Sequence, residues 1–174
     1  MIATTEGAEP PSSIAGQGVL QGLGSLERAC VAGQHLAKYR GEHYIKTLFP
    51  TVTELTVLLF AAIKIVNPQT PSPAEFTAQA EATAASLNKY LQPMQREQLK
   101  VIVGRFIKEG ARANIKRWAQ AVETTAARAG LLLAGDLAVA KRLVAAQAQI
   151  PGDLSPQERL KELKSQGKLL EAQR

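Results

Sequence analysis

The side chains of this sequence that could do chemistry are two histidines, one cysteine and a carboxylate in an otherwise apolar segment. His35 and His43 lie eight positions apart, whereas a zinc protease of the HExxH type needs two histidines one helical turn apart with a glutamate between them. Cys30 lies on a different helix face from His35 and forms no nucleophile–base pair with it. We therefore interpret the histidines as one surface and one interhelical residue, and Cys30 as a packing residue.

Glu123 is the carboxylate of the segment ETTAARAGLLLAGD, which is otherwise rich in Ala, Gly and Leu. Two interpretations stay open: it belongs to a metal or catalytic site, or it pairs with a neighbouring lysine or arginine at a helix interface. The sequence offers little other catalytic machinery. The early glycines follow no strand and precede no P-loop lysine, and the early serines stand in no nucleophile elbow.

The composition predicts an all-α protein. Of its 174 residues, 45% are hydrophobic but only 5% are aromatic, and small residues favour close helix packing over a sheet core. The longest apolar run, Leu55 to Val66, carries Lys64 and is shorter than the ~20 residues of a membrane span. The first residues, rich in acids and prolines, do not match a signal peptide. Together with a single cysteine, this predicts a cytoplasmic protein without a membrane span.

The pattern of start and stop signals predicts an irregular bundle of seven or eight helices. We expect a flexible lead-in over residues 1–24, a helical bundle over 25–150, and a C-terminal amphipathic helix and tail over 151–174. Helix starts are predicted at four places: Ser25, Thr51 with Glu54, Ser72-Pro73-Ala74-Glu75, and Ser155-Pro156-Gln157-Glu158. Asn114 and Asp136 are predicted to cap two further helices. The expected core includes Leu58, Phe60, Ile63, Leu99, Ile102, Phe106, Trp118, Val122 and Leu132.

Two segments carry a resemblance to a known family. ERACVAGQHLAKYRGEHY, followed later by AVETTAARAGLLLAGDLAVAKRL, resembles a helical domain found at the ends of large bacterial tetratricopeptide-type proteins. That domain is in turn similar to HExxH zinc metalloproteases whose third ligand is a Glu on a later helix. The resemblance covers roughly residues 25 to 150.

The resemblance implies a protease-like site whose chemistry has degenerated. Glu123 stands at the third-ligand position, and Ala127 stands where the family has Asp. Gln34 and Lys38 stand at the two histidine positions, and His35 stands at the catalytic glutamate position. Because a lysine ammonium repels a zinc ion, we expect no bound zinc or other cofactor and no enzymatic activity.

Two classes of function follow. The first is a non-catalytic helical module for protein–protein interaction or scaffolding, with a protein partner. Its C-terminal helix could dock on that partner through its leucines, or it could pack back on its own bundle. The candidate docking residues are Leu160, Leu163, Leu169 and Leu170.

The alternative is a binder of nucleic acid or another polyanion. Between Arg96 and Arg117 the chain has seven positive and two negative residues, a net charge of +5. Four of the cations recur at steps of three or four, which forms a basic row if the helix is continuous. The candidate anion-binding residues are Arg105, Lys108, Arg112 and Lys116. A solvated helix face is the simpler interpretation of the same row, because few aromatic residues accompany it.

Overall fold

The structure, a computed structural model, describes residues 2–5, 12–147, 155, 157–158, 160–161 and 163–165. This part of the chain is all-α, as predicted, apart from one short hairpin that was not predicted. Its helices are α1 (Gln17–Gly22), α2 (Ser25–Ala37), α3 (Gly41–Leu48), α4 (Val52–Val66), α5 (Ala74–Tyr90), α6 (Pro93–Lys108), α7 (Ile115–Ala134) and α8 (Leu137–Ala146). The described residues between 157 and 165 are also helical.

The segment before Ser25 contains regular elements that the sequence analysis did not predict. Strands β1 (Ile2–Thr5) and β2 (Ser12–Ala15) pair antiparallel, and α1 follows them. Each strand has four residues, the shortest run in which an apolar–polar alternation can be detected. The lead-in therefore has secondary structure even though its composition is typical of a loop.

Several helix starts follow the predicted chemistry. Thr51 and Glu54 form a capping box before α4, in which each side chain bonds the other residue's backbone N–H. Asp136 accepts hydrogen bonds from two backbone N–H groups at the start of α8. Ser155 and Glu158 form the same reciprocal pair as Thr51 and Glu54. These side chains bond backbone donors that have no partner within the helix.

Two predicted starts are shifted by one residue. Helix α5 is capped by the backbone of Pro73, and the Ser72 hydroxyl contacts the Thr77 hydroxyl instead of capping the helix. Helix α2 begins at Ser25 with Gly24 as its N-cap, and Glu27 accepts the Gly24 N–H at 2.7 Å. In both helices, a neighbour of the predicted cap occupies the N-cap position: Pro73 instead of Ser72, and Gly24 instead of Ser25.

The chain divides into two units. Unit 1 comprises residues 1–50 and 116–174, and unit 2 comprises residues 51–115. The helical bundle predicted over 25–150 includes parts of both units.

The core of unit 1 is built mainly from small side chains of α2, α7 and α8. A cluster of buried residues joins these helices to the C-terminal segment, and it consists of Cys30, Ala127, Leu131, Ala134, Ala140, Val144 and Leu163. Small side chains allow the helix backbones to approach closely, which is why an alanine-rich chain can still form a close-packed core.

The core of unit 2 lies where α4 packs on α5 and α6. Its fully or nearly buried residues are Leu55, Val57, Ala61, Ile63, Ala80, Ala84 and Val103. The apolar run Leu55 to Val66 thus lies in a core helix, as predicted. No single helix in the described part of the chain has the length and hydropathy to cross a membrane; only α3 and α4 taken together meet the criteria of length and composition.

The predicted core was partly wrong. Ile63 and Val122 are buried, and five further residues are half-buried: Leu58, Phe60, Leu99, Phe106 and Trp118. Ile102 and Leu132, by contrast, are 65% and 64% exposed. Both were assigned to the core from their residue type, although each lies on the outer side of its helix.

Candidate functional site

Glu123 lies on α7 in the interior of unit 1 and binds two lysines. Its Oε1 atom is 3.1 Å from the Lys46 ammonium of α3 and 3.2 Å from the ammonium of Lys38, the C-cap residue of α2. The side chains of Glu123 and Lys46 are 9% and 4% exposed, and that of Lys38 is 34% exposed. One carboxylate oxygen therefore accepts from both ammonium groups.

The electrostatics of this cluster keep Glu123 ionised. Burial, the largest single influence, raises the pKa of Glu123, because a charged group is less stable away from water. The charges of Lys38 and Lys46 and their hydrogen bonds together outweigh burial and hold the pKa of Glu123 below its usual range. The cluster is thus a buried ion-paired group at neutral pH.

The structure brings some of the predicted relic residues together. Lys38 contacts Glu123, and Gln34 lies one turn earlier on α2, where its amide Nε2 donates to the Cys30 sulfur at 3.7 Å. Its Oε1 accepts a hydrogen bond from Gln147. The pairing of Glu123 with a lysine, one of the two interpretations of this residue, is therefore present in the structure.

Lys46 is the member of the cluster that sequence reasoning missed. It lies on α3, beyond the interruption at Arg40-Gly41, and no spacing in the sequence relates it to Glu123. The only available signal was indirect, since a carboxylate in an apolar helix face needs a cationic or hydrogen-bonding partner when buried.

A close crossing of α2 and α7 positions this cluster. A Cβ atom on Gly33 would lie 2.6 Å from the backbone oxygen of Ala129, and one on Gly130 would lie 2.6 Å from the Gln34 Cγ atom. No side chain larger than hydrogen fits between the helices at this point. Because Gly33 meets Gly130 while the later Lys38 meets the earlier Glu123, the two helices run in opposite directions.

His35 lies in a separate polar contact. Its Nε2 atom is 2.6 Å from the Ser13 hydroxyl, and the Tyr39 hydroxyl lies 3.3 Å from the same Ser13 oxygen. Burial and, to a lesser extent, the nearby Lys38 charge lower the pKa of His35 from its usual value, which favours the neutral ring. In the described part of the chain no carboxylate contacts the other ring nitrogen, the contact that orients the base in a serine-hydrolase triad.

The predicted basic row is not continuous. Arg105 and Lys108 are exposed on α6, which ends at Lys108, and α7 begins only at Ile115. The connection contains positive backbone φ angles at Gly110 and Ala111, of 95° and 51°. Arg112 lies in this connection, and Lys116 belongs to unit 1. The four cations therefore form no single helical row, because the condition of a continuous helix is not met.

The leucines of the C-terminal segment divide into two groups. Leu163 is fully buried in the core cluster of unit 1, and Leu160 packs against it. These two residues pack on their own unit, which is the second of the two alternatives for this helix. Leu169 and Leu170 lie outside the described residues.

An exposed apolar surface occurs instead on α6. Met94, Val101 and Ile102 are 73%, 72% and 65% exposed, and they recur at the spacing of one side of a helix. We call these three residues the α6 outer face. This surface was not predicted from the sequence, because Ile102 was interpreted as a core residue.

Among the described residues, no group of three or more His, Cys, Asp or Glu side chains is placed to hold a metal ion. Comparisons of the chain with models of known protein families, with curated proteins and with solved structures found no match.

Proposed function

We propose that this chain is a non-catalytic helical interaction module whose partner is an acidic amphipathic helix bound to the α6 outer face. The observation that carries the proposal is the exposure of Met94, Val101 and Ile102 on a helix that is otherwise basic. A partner that buries these side chains also meets the surrounding positive charge.

The apolar part of the surface supplies the attraction. On α6, Val103 is buried and Leu99 is half-buried toward the core of unit 2. Val101 lies two residues from each of them and therefore points to the opposite side of the helix. Large apolar side chains that cluster on the solvent side are typical of an interaction surface. They match the i, i+7 spacing by which one amphipathic helix packs on another.

The charge around the α6 outer face selects the kind of partner. Between Arg96 and Arg112 the chain has five positive and two negative residues, a net charge of +3. Both glutamates already pair with cations of α6. Glu97 lies 2.6 Å from Lys100, and Glu109, the C-cap residue, lies 2.8 Å from Arg105. An acidic partner is therefore attracted by the remaining charge, which favours the encounter and excludes basic competitors.

The aliphatic character of the α6 outer face favours a protein partner over a nucleic acid. Phosphate backbones bind to cations and need no apolar contact, and bases stack on aromatic rings. The α6 outer face has three aliphatic side chains at its centre and no aromatic ring among them. Such side chains are buried by another protein surface and gain little from a polyanion.

The state of Glu123 supports the non-catalytic part of the proposal. A general base works best with a pKa near the working pH, whereas Lys38 and Lys46 hold the pKa of Glu123 below its usual range. A divalent cation at this carboxylate would also meet two ammonium groups. The chemistry implied by the resemblance is thus opposed by the side chains that surround Glu123, which fits the proposed degenerate metalloprotease-like ancestry of the chain.

The test uses the intact chain with a photo-crosslinking amino acid at Met94, in cells of its native host. We expect a crosslink to one protein, within a segment that forms an acidic amphipathic helix. The double variant Val101→Glu/Ile102→Glu should abolish it. The matched control is Leu132→Glu/Leu133→Glu, since Leu132 and Leu133 are also adjacent, exposed and apolar, at 64% and 57%.

Charge is tested with Lys108→Glu/Arg112→Glu, which should weaken the complex and reduce its dependence on salt. Three outcomes would overturn the proposal: a crosslinked segment that is not acidic, equal loss of the crosslink with the Leu132/Leu133 control, or recovery of nucleic acid that the Lys108/Arg112 variant abolishes. In the last case the polyanion-binding alternative would replace it.

A further inference from the structure

Unit 1 contains a cavity of about 350 Å³ that opens beside the Glu123 cluster. Its volume falls within the range of small-molecule binding sites, and at about 30 Å³ per water-sized group it has room for roughly a dozen such groups. Its wall is formed by parts of α1, α2 and α8 and by the residue that follows each of these helices. The lining residues are Val19, Leu23, Val31, Gln34, His35, Lys38, Leu143, Ala146 and Gln147.

The lining has the composition of a ligand site. Five of its residues are aliphatic, and four are polar: Gln34, His35, Lys38 and Gln147. Binding sites for small molecules are mostly apolar with a few polar groups that fix the orientation of the ligand. Among the described residues of this lining, Lys38 is the only charged side chain, so the cavity favours an anion.

The shared hydrogen bond of Glu123 leaves Lys38 able to bind such an anion. Lys46 is buried and holds the same Oε1 atom at 3.1 Å, so Glu123 keeps a cationic partner when Lys38 turns away. An ammonium group has three donors, and Lys38 is the more exposed of the two lysines. A ligand carboxylate can therefore take one or more donors of Lys38 without leaving Glu123 alone in the interior.

His35 completes the polar end of the cavity without adding charge. Its Nε2 atom contacts Ser13, which fixes the ring. Burial and the nearby Lys38 charge lower the pKa of His35 from its usual value, which favours the neutral ring. Among the described lining residues, the charge preference for a ligand therefore comes from Lys38.

We propose that this cavity binds a small monocarboxylate with an apolar body, of about ten carbon and oxygen atoms in all. The carboxylate binds the Lys38 ammonium, and the apolar body lies against Val19, Leu23 and Leu143. The site lies in unit 1, whereas the α6 outer face lies in unit 2. An experiment that refutes one of the two proposals therefore leaves the other untouched.

The test measures binding of three eight-carbon probes to the intact chain by isothermal titration calorimetry at pH 7. Octanoate should bind, octanol should bind at least about tenfold more weakly, and octylammonium should not bind. Lys38→Met should weaken octanoate binding by at least about tenfold, with little change for octanol. A tenfold change corresponds to about 1.4 kcal/mol.

The location of the site is tested with Leu143→Trp, which fills the cavity and should abolish binding of octanoate. Leu133→Trp is the matched control, because Leu133 is exposed on α7 and does not line the cavity. Urea unfolding of each variant establishes that it is folded. If Leu143→Trp fails to fold, Lys38→Met and the three probes still decide.

Several results would overturn the inference. These are equal affinity for octanoate and octanol, binding of octylammonium, octanoate binding that survives Lys38→Met, or the absence of octanoate binding up to millimolar concentration. Equal loss of binding with Leu133→Trp would place the ligand elsewhere and would overturn it as well.

Discussion

The close crossing of α2 and α7 makes a sharp prediction about Gly33. A Cβ atom added there would lie 2.6 Å from the backbone oxygen and 3.0 Å from the carbonyl carbon of Ala129. The obstacle is helix backbone, which cannot rotate away as the end of a side chain can. Gly33→Ala must therefore push α7 away from α2, although alanine is intrinsically the better helix former.

The expected magnitude follows from two opposing effects. Overpacking a close contact costs about 1–3 kcal/mol, and replacing a helical glycine with alanine stabilises by roughly 0.5–1 kcal/mol. The net expectation is a loss of about 1–2 kcal/mol of unfolding free energy. With a urea dependence of about 1–3 kcal/mol per molar, this lowers the unfolding midpoint by about 0.3–2 M.

The assay is urea unfolding followed by the fluorescence of Trp118, the only tryptophan of the chain and a residue of unit 1. The matched control is Gly18→Ala in α1, because a Cβ atom on Gly18 would meet nothing within 4 Å. That variant should be as stable as the wild type or more stable by up to about 1 kcal/mol. A Gly33→Ala variant as stable as the wild type would show that the helices do not meet at this glycine.

Three further predictions concern single groups of unit 1. The pKa of Glu123 in the folded protein is below its unfolded value of about 4.3. The stability that ionised Glu123 contributes is therefore present above pH 4.3 and is lost as the pH falls through the folded pKa. Between pH 7 and pH 2, the urea midpoint should fall less for Glu123→Gln than for the wild type. Burial raises the pKa of the Cys30 thiol against the weaker effect of its hydrogen bond from Gln34, so iodoacetamide should modify it slowly in the native protein and rapidly in urea; equal rates would place Cys30 at the surface. Asp136→Ala should cost about 1 kcal/mol, measured by thermal unfolding, because the carboxylate accepts two backbone N–H groups of α8, and no loss would mean that this cap contributes nothing.

Much of the fold could be predicted because local chemistry determines it. The Thr51–Glu54 and Ser155–Glu158 capping boxes are contacts within four residues, and a sequence pattern is sufficient to identify them. The hairpin before Ser25 was missed because its two four-residue strands, IATT and SSIA, show no apolar–polar alternation. The division into two units was missed because unit 1 is closed by residues far apart in the chain, which no local pattern records.

The candidate site shows the same limit more clearly. The sequence placed Glu123 and Lys38 together only through a resemblance, and it offered an ion pair as one of two interpretations of Glu123. It gave no indication of Lys46, which lies 77 positions from Glu123, nor of the cavity that Lys38 lines. Distances between helices depend on how glycines such as Gly33 and Gly130 meet, and that is a property of packing.

The exposed apolar residues show why an error in the predicted core bears on function. Ile102 and Leu132 were assigned to the interior because isoleucine and leucine are most often buried. Residue type predicts a preference for burial, but only the packed structure shows whether the protein itself supplies the covering surface. For Ile102 it does not, and Val101 and Met94 share its exposure. One exposed apolar residue is common, whereas three on one side of a basic helix form a surface that a partner can bury. For this reason we place the proposed interaction on α6 and not on the C-terminal leucines.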